Sequence, residues 1–132
     1  GPSGAWCRDR RLSGGGCLID LGVHMVDLAL WLLESPRAVA ARGVRFGAGR
    51  RLAAGDEAVE DYATATIDLE TGTTIALACS WHLAAGRDCI FRLALHGSKG
   101  GAAIENVDGS FYDFRAERYR HTVAETLSGP PD

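Results

Sequence analysis

Three polar side chains, Asp20, His24 and Asp27, interrupt an apolar segment and are the residues of this sequence best suited to chemistry. The segment from Leu18 to Leu33 contains no proline, so we predict a helix that is buried on most sides. At about 100° per residue, side chains four and seven positions apart lie on one face of a helix. A carboxylate beside an imidazole can serve proton transfer, because histidine ionises close to neutral pH.

The same polar stripe has two other interpretations. It could be the solvated face of the helix, although such faces mostly carry long charged side chains rather than short Asp and His. It could also supply ligands to a metal-dependent hydrolase or isomerase, with His82 or His96 as a further ligand. Because no open-site signature accompanies the stripe, we predict no metal. We predict that the functional pair is Asp20 and His24.

A glycine-rich segment, Ser13 followed by Gly14–Gly16, leads into this helix. Glycine allows the backbone to approach another part of the protein closely, and the free N–H groups of a helix N-terminus favour anions. Gly22 and Ala29 lie on the side opposite the stripe. Because glycine inside a helix is destabilising, we expect Gly22 to pack closely against a sheet.

The segment SGGGCLIDLGVHMVDLALWLL closely resembles the start of the C-terminal domain of the Gfo/Idh/MocA oxidoreductases, the group of glucose–fructose oxidoreductase and inositol dehydrogenase. In that family a Gly-rich segment leads into a helix reading D-x-G-x-H-x-x-D. Asp20, Gly22, His24 and Asp27 match it. Weaker matches are W-C-R-D at 6–9, S-W at 80–81 and H-G-S-K-G at 96–100. The resemblance covers roughly residues 6–101.

The resemblance implies catalytic roles for Asp20 and His24. Arg8, Trp81 and His82 are candidate substrate-binding residues, because the first precedes the glycine run and the others end a strand. The implied activity is NAD(P)-dependent oxidation of secondary hydroxyls in sugars, inositols or related polyols. NAD or NADP would be bound by a Rossmann domain of the parent enzyme, since neither G-x-G-x-x-G nor the family's E-K-P motif occurs here. We therefore expect these residues alone to bind no cofactor and to be inactive.

A non-catalytic oligomerisation or binding module of the same fold is the alternative function. The missing cofactor site favours this alternative, and the intact Asp20 and His24 pair opposes it. Metal analysis of the purified protein would separate the metal-dependent hydrolase from both.

The composition is that of a folded protein with no preference for polyanions. The 132 residues are 46% hydrophobic and 23% charged, with a formal net charge of −3, so we expect neither nucleic-acid nor membrane binding. The longest apolar run, residues 28–33, is far short of a membrane span, and we expect no signal peptide. The four cysteines lack C-x-x-C spacing, which predicts reduced thiols in a cytoplasmic protein.

After residues 34–36 the hydrophobic period changes from that of a helix to that of strands. Short turns between strands require antiparallel pairing, so we predict an α+β fold: an open, mainly antiparallel β-sheet with a long helix on one face and no Rossmann domain. The single predicted domain, residues 1–132, comprises the glycine loop and helix (6–36), the sheet (37–115) and a tail (116–132). We predict strands at 38–48, 62–69, 74–82 and 90–96, a polar loop at 49–57, a hairpin of 102–107 with 110–115 closed by Asp108-Gly109, and a short helix at 116–127.

The sheet face away from the helix is predicted to mix small and polar side chains. They are Thr64, Thr66, Thr74, Ser80 and Arg92, with Ala76 and Ala78. The family resemblance implies that two subunits pack here, sheet against sheet, as a homo-oligomer. A plain solvated face is the other interpretation.

Overall fold

The computed structural model describes residues 4–131, and the chain divides into two compact units, Gly1–Leu83 and Ala84–Asp132. Every strand pair in the described part of the chain is antiparallel, and the predicted α+β class is confirmed. The strands form two four-stranded sheets, one in each unit.

The first unit places helical segments before a sheet of strand order β2-β1-β3-β4. Its elements are a 3₁₀ turn Ala5–Arg8, α1 Arg10–Ser13, a π-helical turn Leu18–Gly22, α2 Val23–Leu32, β1 Ala38–Gly47, β2 Arg50–Leu52, β3 Tyr62–Leu69 and β4 Thr74–Ser80. The predicted hairpin of β3 and β4 is present, with Ala65 opposite Leu77. The predicted polar loop at 49–57 is wrong in part, because β2 pairs with the end of β1 through Phe46 and Arg51.

The helix packs on β4 through Gly22, as the sequence predicts. A Cβ atom built on Gly22 would lie 3.3 Å from Leu77 Cδ2 and 3.3 Å from Cys79 Sγ. Gly22 and Ala29 are both buried on this side. A larger residue at position 22 would therefore push the helix away from the sheet.

The expectation that the helix is buried on most sides is wrong. Ile19, Val23 and Trp31 are 54%, 48% and 70% exposed, and within the helical stretch 18–32 only Gly22 and Ala29 are buried. The physical reason is that the described part of the unit offers one sheet face for packing and no second layer. An apolar sequence was therefore a poor guide to burial here.

The first turn of the helix is wider than the α-helical turn that the sequence predicts. The Val23 N–H donates to Leu18 O, five residues back, so Leu18–Gly22 forms a π-helical turn. Such turns hold one more residue than an α-turn and occur frequently at functional sites. This turn carries Asp20 and ends directly before the residues that continue the stripe.

By length and composition alone, the helical stretch Arg10–Leu32 could cross a membrane. It has 23 residues, and its mean hydropathy is 1.4. This stretch is longer than the uninterrupted apolar run at residues 28–33. The core helix of a soluble protein meets the same test. Here the side of the helix with Gly22 packs on β4.

The second unit is a meander of four strands, in the order β5-β6-β7-β8. They are β5 Arg92–Gly97, β6 Gly100–Asn106, β7 Phe114–Arg120 and β8 Val123–Ser128. Arg92 therefore belongs to this sheet, where it pairs with Glu105, and not to the face that carries Thr64. The predicted tight hairpin is a longer connection, because the last pair of β6 and β7 is Asn106 with Phe114.

The short helix predicted at 116–127 is wrong. β7 and β8 occupy this segment, and Arg120 pairs with Val123 across a two-residue turn in which His121 has a φ of 51°. Alanine, glutamate and arginine are good helix formers, but intrinsic propensity is a weak preference, and pairing of β7 with β6 overrides it. The cross-strand ion pair of Arg118 with Glu125 adds a contact that only the strand pairing provides.

The backbone at Gly16 lies against the backbone of Glu60. A Cβ atom built on Gly16 would overlap Glu60 O, although the Gly16 backbone is not in the left-handed region. Only glycine fits there without displacing one of the two chain segments. As expected from the sequence, the glycine run lets two backbone segments come close, and Gly16 is the position where they do so.

We predict that Gly16→Ala lowers the free energy of unfolding by about 2–3 kcal/mol or more, because the added methyl group meets a main-chain atom that cannot move alone. Urea unfolding followed by circular dichroism measures this change. Gly129→Ala is the control, since its Cβ would come no closer than 3.9 Å to Thr126. Equal free energies of unfolding for Gly16→Ala and Gly129→Ala would contradict the close approach of the Gly16 and Glu60 backbones.

Candidate functional site

Glu60 binds the start of the helix. Its Oε1 accepts hydrogen bonds from the Gly16 and Leu18 N–H groups, both at 3.1 Å, and its main-chain oxygen accepts one from the Cys17 N–H at 2.9 Å. Glu60 is only 3% exposed. A carboxylate in this place satisfies N–H groups that a helix leaves free at its N-terminus, and it interacts favourably with the helix dipole.

Glu60 is a structural residue that the sequence prediction missed. The sequence showed that an anion would be favourable at the end of the glycine run, but that anion could come from anywhere in the chain or from a ligand. The signal available was a glutamate two residues before the strand Tyr62–Leu69. Its partner lies 44 residues earlier in the chain, which no local pattern indicates.

The structure brings two of the predicted site residues together. Asp20 Oδ2 accepts a hydrogen bond of 2.8 Å from Trp81 Nε1. Trp81 directly follows β4, the strand on which Gly22 packs, so the same helix–sheet contact sets both side chains. Asp20 is exposed and Trp81 is half-buried. The carboxylate is therefore oriented by an indole and remains accessible from solution.

Asp20 and His24 do not form the mutual contact that the sequence suggested. Within residues 4–131, no side-chain hydrogen bond joins them, and Asp20 is bonded to Trp81 instead. His24 and Asp27 are exposed on α2, as Asp20 is on the preceding turn, so the stripe does not share the burial that was predicted for the helix. An exposed imidazole close to an oriented carboxylate can still meet a ligand that binds on this face. The catalytic roles stay a prediction.

The end of β4 is fixed by Asp61. The Trp81 N–H donates to Asp61 O at 2.9 Å, and the Ser80 hydroxyl donates to the same oxygen at 3.0 Å. The His82 N–H in turn donates to Ser80 Oγ at 3.2 Å, while the His82 side chain is exposed. His82 is thus next to Trp81 in the chain and accessible. Its role in substrate binding stays a prediction.

Arg8 lies at the end of the 3₁₀ turn and lines a cavity of about 590 Å³. The other lining residues are Asp9, Arg10, Arg11 and Glu57. Asp9 caps α1 by accepting from the Arg11 N–H at 3.0 Å and also pairs with the Arg11 guanidinium. Neither Asp20 nor His24 lines this cavity, so the cavity does not join Arg8 to the stripe, and the role of Arg8 in substrate binding stays a prediction.

The described residues form neither a cluster of metal ligands nor a parallel-sheet site for a dinucleotide. Between residues 4 and 131, no three side chains of His, Cys, Asp or Glu lie together as a metal site requires. A nicotinamide dinucleotide binds where parallel strands end at helix N-termini, whereas the strand pairs of this chain are all antiparallel over the described range. The residues described here therefore do not fit NAD or NADP.

Comparison with known proteins gives one family. Residues 1–103 match the family model described as the GFO/IDH/MocA C-terminal domain. D-glucoside 3-dehydrogenase of Escherichia coli K12 is 30% identical over 105 residues, which are 73% of this chain and 30% of that protein. A putative UDP-kanosamine synthase oxidoreductase subunit of Amycolatopsis mediterranei S699 is 31% identical over 114 residues, 77% of this chain and 32% of that protein. The chain thus spans about a third of the length of these relatives.

Solved structures show the same fold at lower identity. The aldose-aldose oxidoreductase of Caulobacter crescentus, complexed with glycerol, superposes with a TM-score of 0.74 at 20% identity, covering 100% of this chain and 37% of that one. A 3-ketoreductase of Actinomadura kijaniata, in complex with NADP and TDP-benzene, gives 0.67 at 22% identity, covering 99% and 37%. The matched family model and the curated relatives show that this chain belongs to the Gfo/Idh/MocA oxidoreductase family, as a C-terminal domain.

Proposed function

We propose that this chain is the substrate-binding and catalytic-helix domain of an NAD(P)-dependent oxidoreductase that acts on secondary hydroxyls of sugars, inositols or related polyols. The observation that carries the proposal is the hydrogen bond of Asp20 with Trp81, one helical turn before His24, within the motif that resembles the family's catalytic helix. The names of the curated relatives, a glucoside 3-dehydrogenase and a UDP-kanosamine synthase subunit, support a sugar substrate.

His24 is the proposed proton acceptor. Oxidation of a secondary alcohol to a ketone requires that a hydride leave the carbon and a proton leave the hydroxyl group. An imidazole suits the second task because its ordinary pKa lies close to neutral pH. The exposed His24 side chain can be reached by a hydroxyl group without movement of the helix. In the reverse direction the imidazolium would return the proton to the carbonyl oxygen.

Asp20 is the proposed positioning and hydrogen-bonding carboxylate. Trp81 Nε1 donates to one oxygen, Oδ2, and no side chain among residues 4–131 donates to the other oxygen, which can accept from a substrate hydroxyl. A fixed carboxylate near the imidazole also stabilises the positive charge that His24 acquires as it takes the proton. Trp81 has no proton to exchange in this reaction, so we propose that it orients Asp20.

The hydride acceptor is proposed to be bound outside the residues described here. Since these residues do not fit a nicotinamide dinucleotide, NAD or NADP would be held by another domain of the parent enzyme. We infer that residues 1–132 alone are inactive for this reason. A calorimetric titration of these residues with NADH should give no saturable heat below millimolar concentration, and micromolar binding would refute the inference.

We predict that His24→Ala in the two-domain enzyme lowers kcat/KM for the alcohol by about 10²-fold or more, the usual effect of losing a general base. Asp20→Asn should also slow turnover while leaving the fold intact. Steady-state kinetics with a polyol or sugar substrate measure both changes, and circular dichroism checks the fold.

Asp27→Asn is the matched control for this experiment, because Asp27 is exposed on the same helix and bonds to none of the proposed catalytic residues in the structure. Its kcat/KM should stay within about twofold of the wild type, as for most exposed substitutions. Wild-type turnover by His24→Ala would end the catalytic proposal and leave the non-catalytic module as the function.

Self-association through the first sheet is a second part of the proposal. The face turned away from Gly22 carries Ala76 and Ala78 on β4, opposite Thr66 and Thr64 on β3. Ala76 and Ala78 are exposed, and β3 and β4 place no Lys, Arg or Glu on this face, although Arg42 of β1 lies on it opposite Thr66. We propose that a second copy packs on it.

We predict a solution mass above the 14.0 kDa of one chain, measured by light scattering over a concentration series. Ala78→Arg should shift the mass toward that of the monomer, because a buried unpaired charge opposes packing of two sheets. Ala54→Arg adds the same charge at an exposed loop position and should leave the mass unchanged. A wild-type protein that is monomeric at every concentration would rule out this face as an interface.

A further inference from the structure

Two cysteines meet where the helix starts. Cys17 Sγ lies 3.8 Å from Cys79 Sγ and 3.6 Å from Cys79 O, although the two residues are 62 positions apart in the chain. Cys17 is fully buried, while Cys79 is partly exposed. The sequence offered no C-x-x-C motif here, so only the fold reveals this pair.

The pair lies between the two contacts that build the candidate site. Cys17 stands between Gly16 and Leu18, whose N–H groups bind the Glu60 carboxylate. Cys79 is on β4, two residues before Trp81, whose indole holds Asp20. A bond between the sulfurs would therefore join the helix start directly to the strand that carries the partner of Asp20.

The surroundings give the two thiols different reactivity. The contact with Cys17 Sγ, at 3.8 Å, lowers the pKa of the Cys79 thiol against the opposing effect of burial, and the Gly22 N–H contributes to the lowering. The same contact, with burial, raises the pKa of the Cys17 thiol. Cys79 is thus the group that ionises first and the less buried of the two residues, and a lowered thiol pKa is what an attacking thiol needs.

We propose that Cys17 and Cys79 are a redox-sensitive pair that forms a reversible disulfide and thereby adjusts the position of Asp20 relative to Trp81. The sulfurs must move from 3.8 Å to the bonding distance of about 2.05 Å. The start of the helix and β4 then move closer together, next to the place where Gly22 packs on β4. Because Gly22 already touches Cys79 Sγ, this movement is transmitted to the turn that carries Asp20.

The oxidant is a low-molecular-weight disulfide such as glutathione disulfide. The Cys79 thiolate attacks one of its sulfurs, forms a mixed disulfide and releases one glutathione thiolate. The Cys17 thiol then attacks the Cys79 sulfur and gives its proton to the departing glutathione sulfur, which leaves as the second glutathione thiol. Two protein thiols are oxidised and one external disulfide is reduced to two thiols, so atoms and electrons balance.

The test uses the chain of 132 residues in buffers that contain oxidised and reduced glutathione at different ratios. After acid quenching, unfolding and alkylation, peptide mass spectrometry should find Cys17 joined to Cys79, and reduced glutathione should reverse the bond. In the same samples the indole N–H NMR signal of Trp81 should shift with the oxidised fraction. Both changes should disappear in Cys79→Ser, and both should persist in the control Cys89→Ser.

Three results would overturn the proposal. The first is a Cys79 that stays fully alkylatable under oxidising conditions, and the second is a glutathione adduct on Cys79 that Cys17 never resolves. The third is a disulfide that forms without moving the Trp81 signal, because the pair would then be unconnected to the site. Cys17→Ser is the second variant: it should stop at the glutathione adduct if Cys79 is the attacking thiol.

Discussion

The candidate site depends on the hydrogen bonds between the buried Glu60 carboxylate and the backbone at the start of the helix. A carboxylate that is 3% exposed is costly unless it is well bonded, and here it receives the N–H groups of Gly16 and Leu18. Those N–H groups would otherwise lack an acceptor. The hydrogen bonds therefore offset both the cost of burying the carboxylate and the cost of burying the free N–H groups. The contact requires the two backbones to come close, which explains why position 16 is glycine.

The consequence is a helix whose start and direction are set by one sheet. Glu60 immediately precedes the residues that lead into β3, and Gly22 packs on β4, so two neighbouring strands hold the turn that carries Asp20. Trp81 then completes the arrangement by bonding the carboxylate from the end of β4. The polar stripe faces solvent, which is the accessible position that a substrate-binding surface needs.

The sequence predicted those parts of the structure that depend on local pattern. The period of two residues identified β3 and β4, and the interior glycine identified the helix face that meets the sheet. Burial of the helix was overestimated, because apolar composition does not reveal how many layers pack on an element. The strands β7 and β8 were predicted as a helix, since their pairing with distant residues outweighs a weak local preference. Glu60 and the Cys17–Cys79 contact were missed because both join residues more than 40 positions apart.

The most direct test of this account is amide hydrogen exchange at Gly16 and Leu18 in the wild type and in Glu60→Ala. We expect slow exchange in the wild type and about 10- to 100-fold faster exchange in the variant, the effect of losing a hydrogen bond to a charged group. Glu60→Gln, which keeps an acceptor oxygen, should lie between them, and exposed Glu57→Ala should match the wild type. Unchanged exchange at both amides in Glu60→Ala would contradict the claim that Glu60 holds the helix that carries the site.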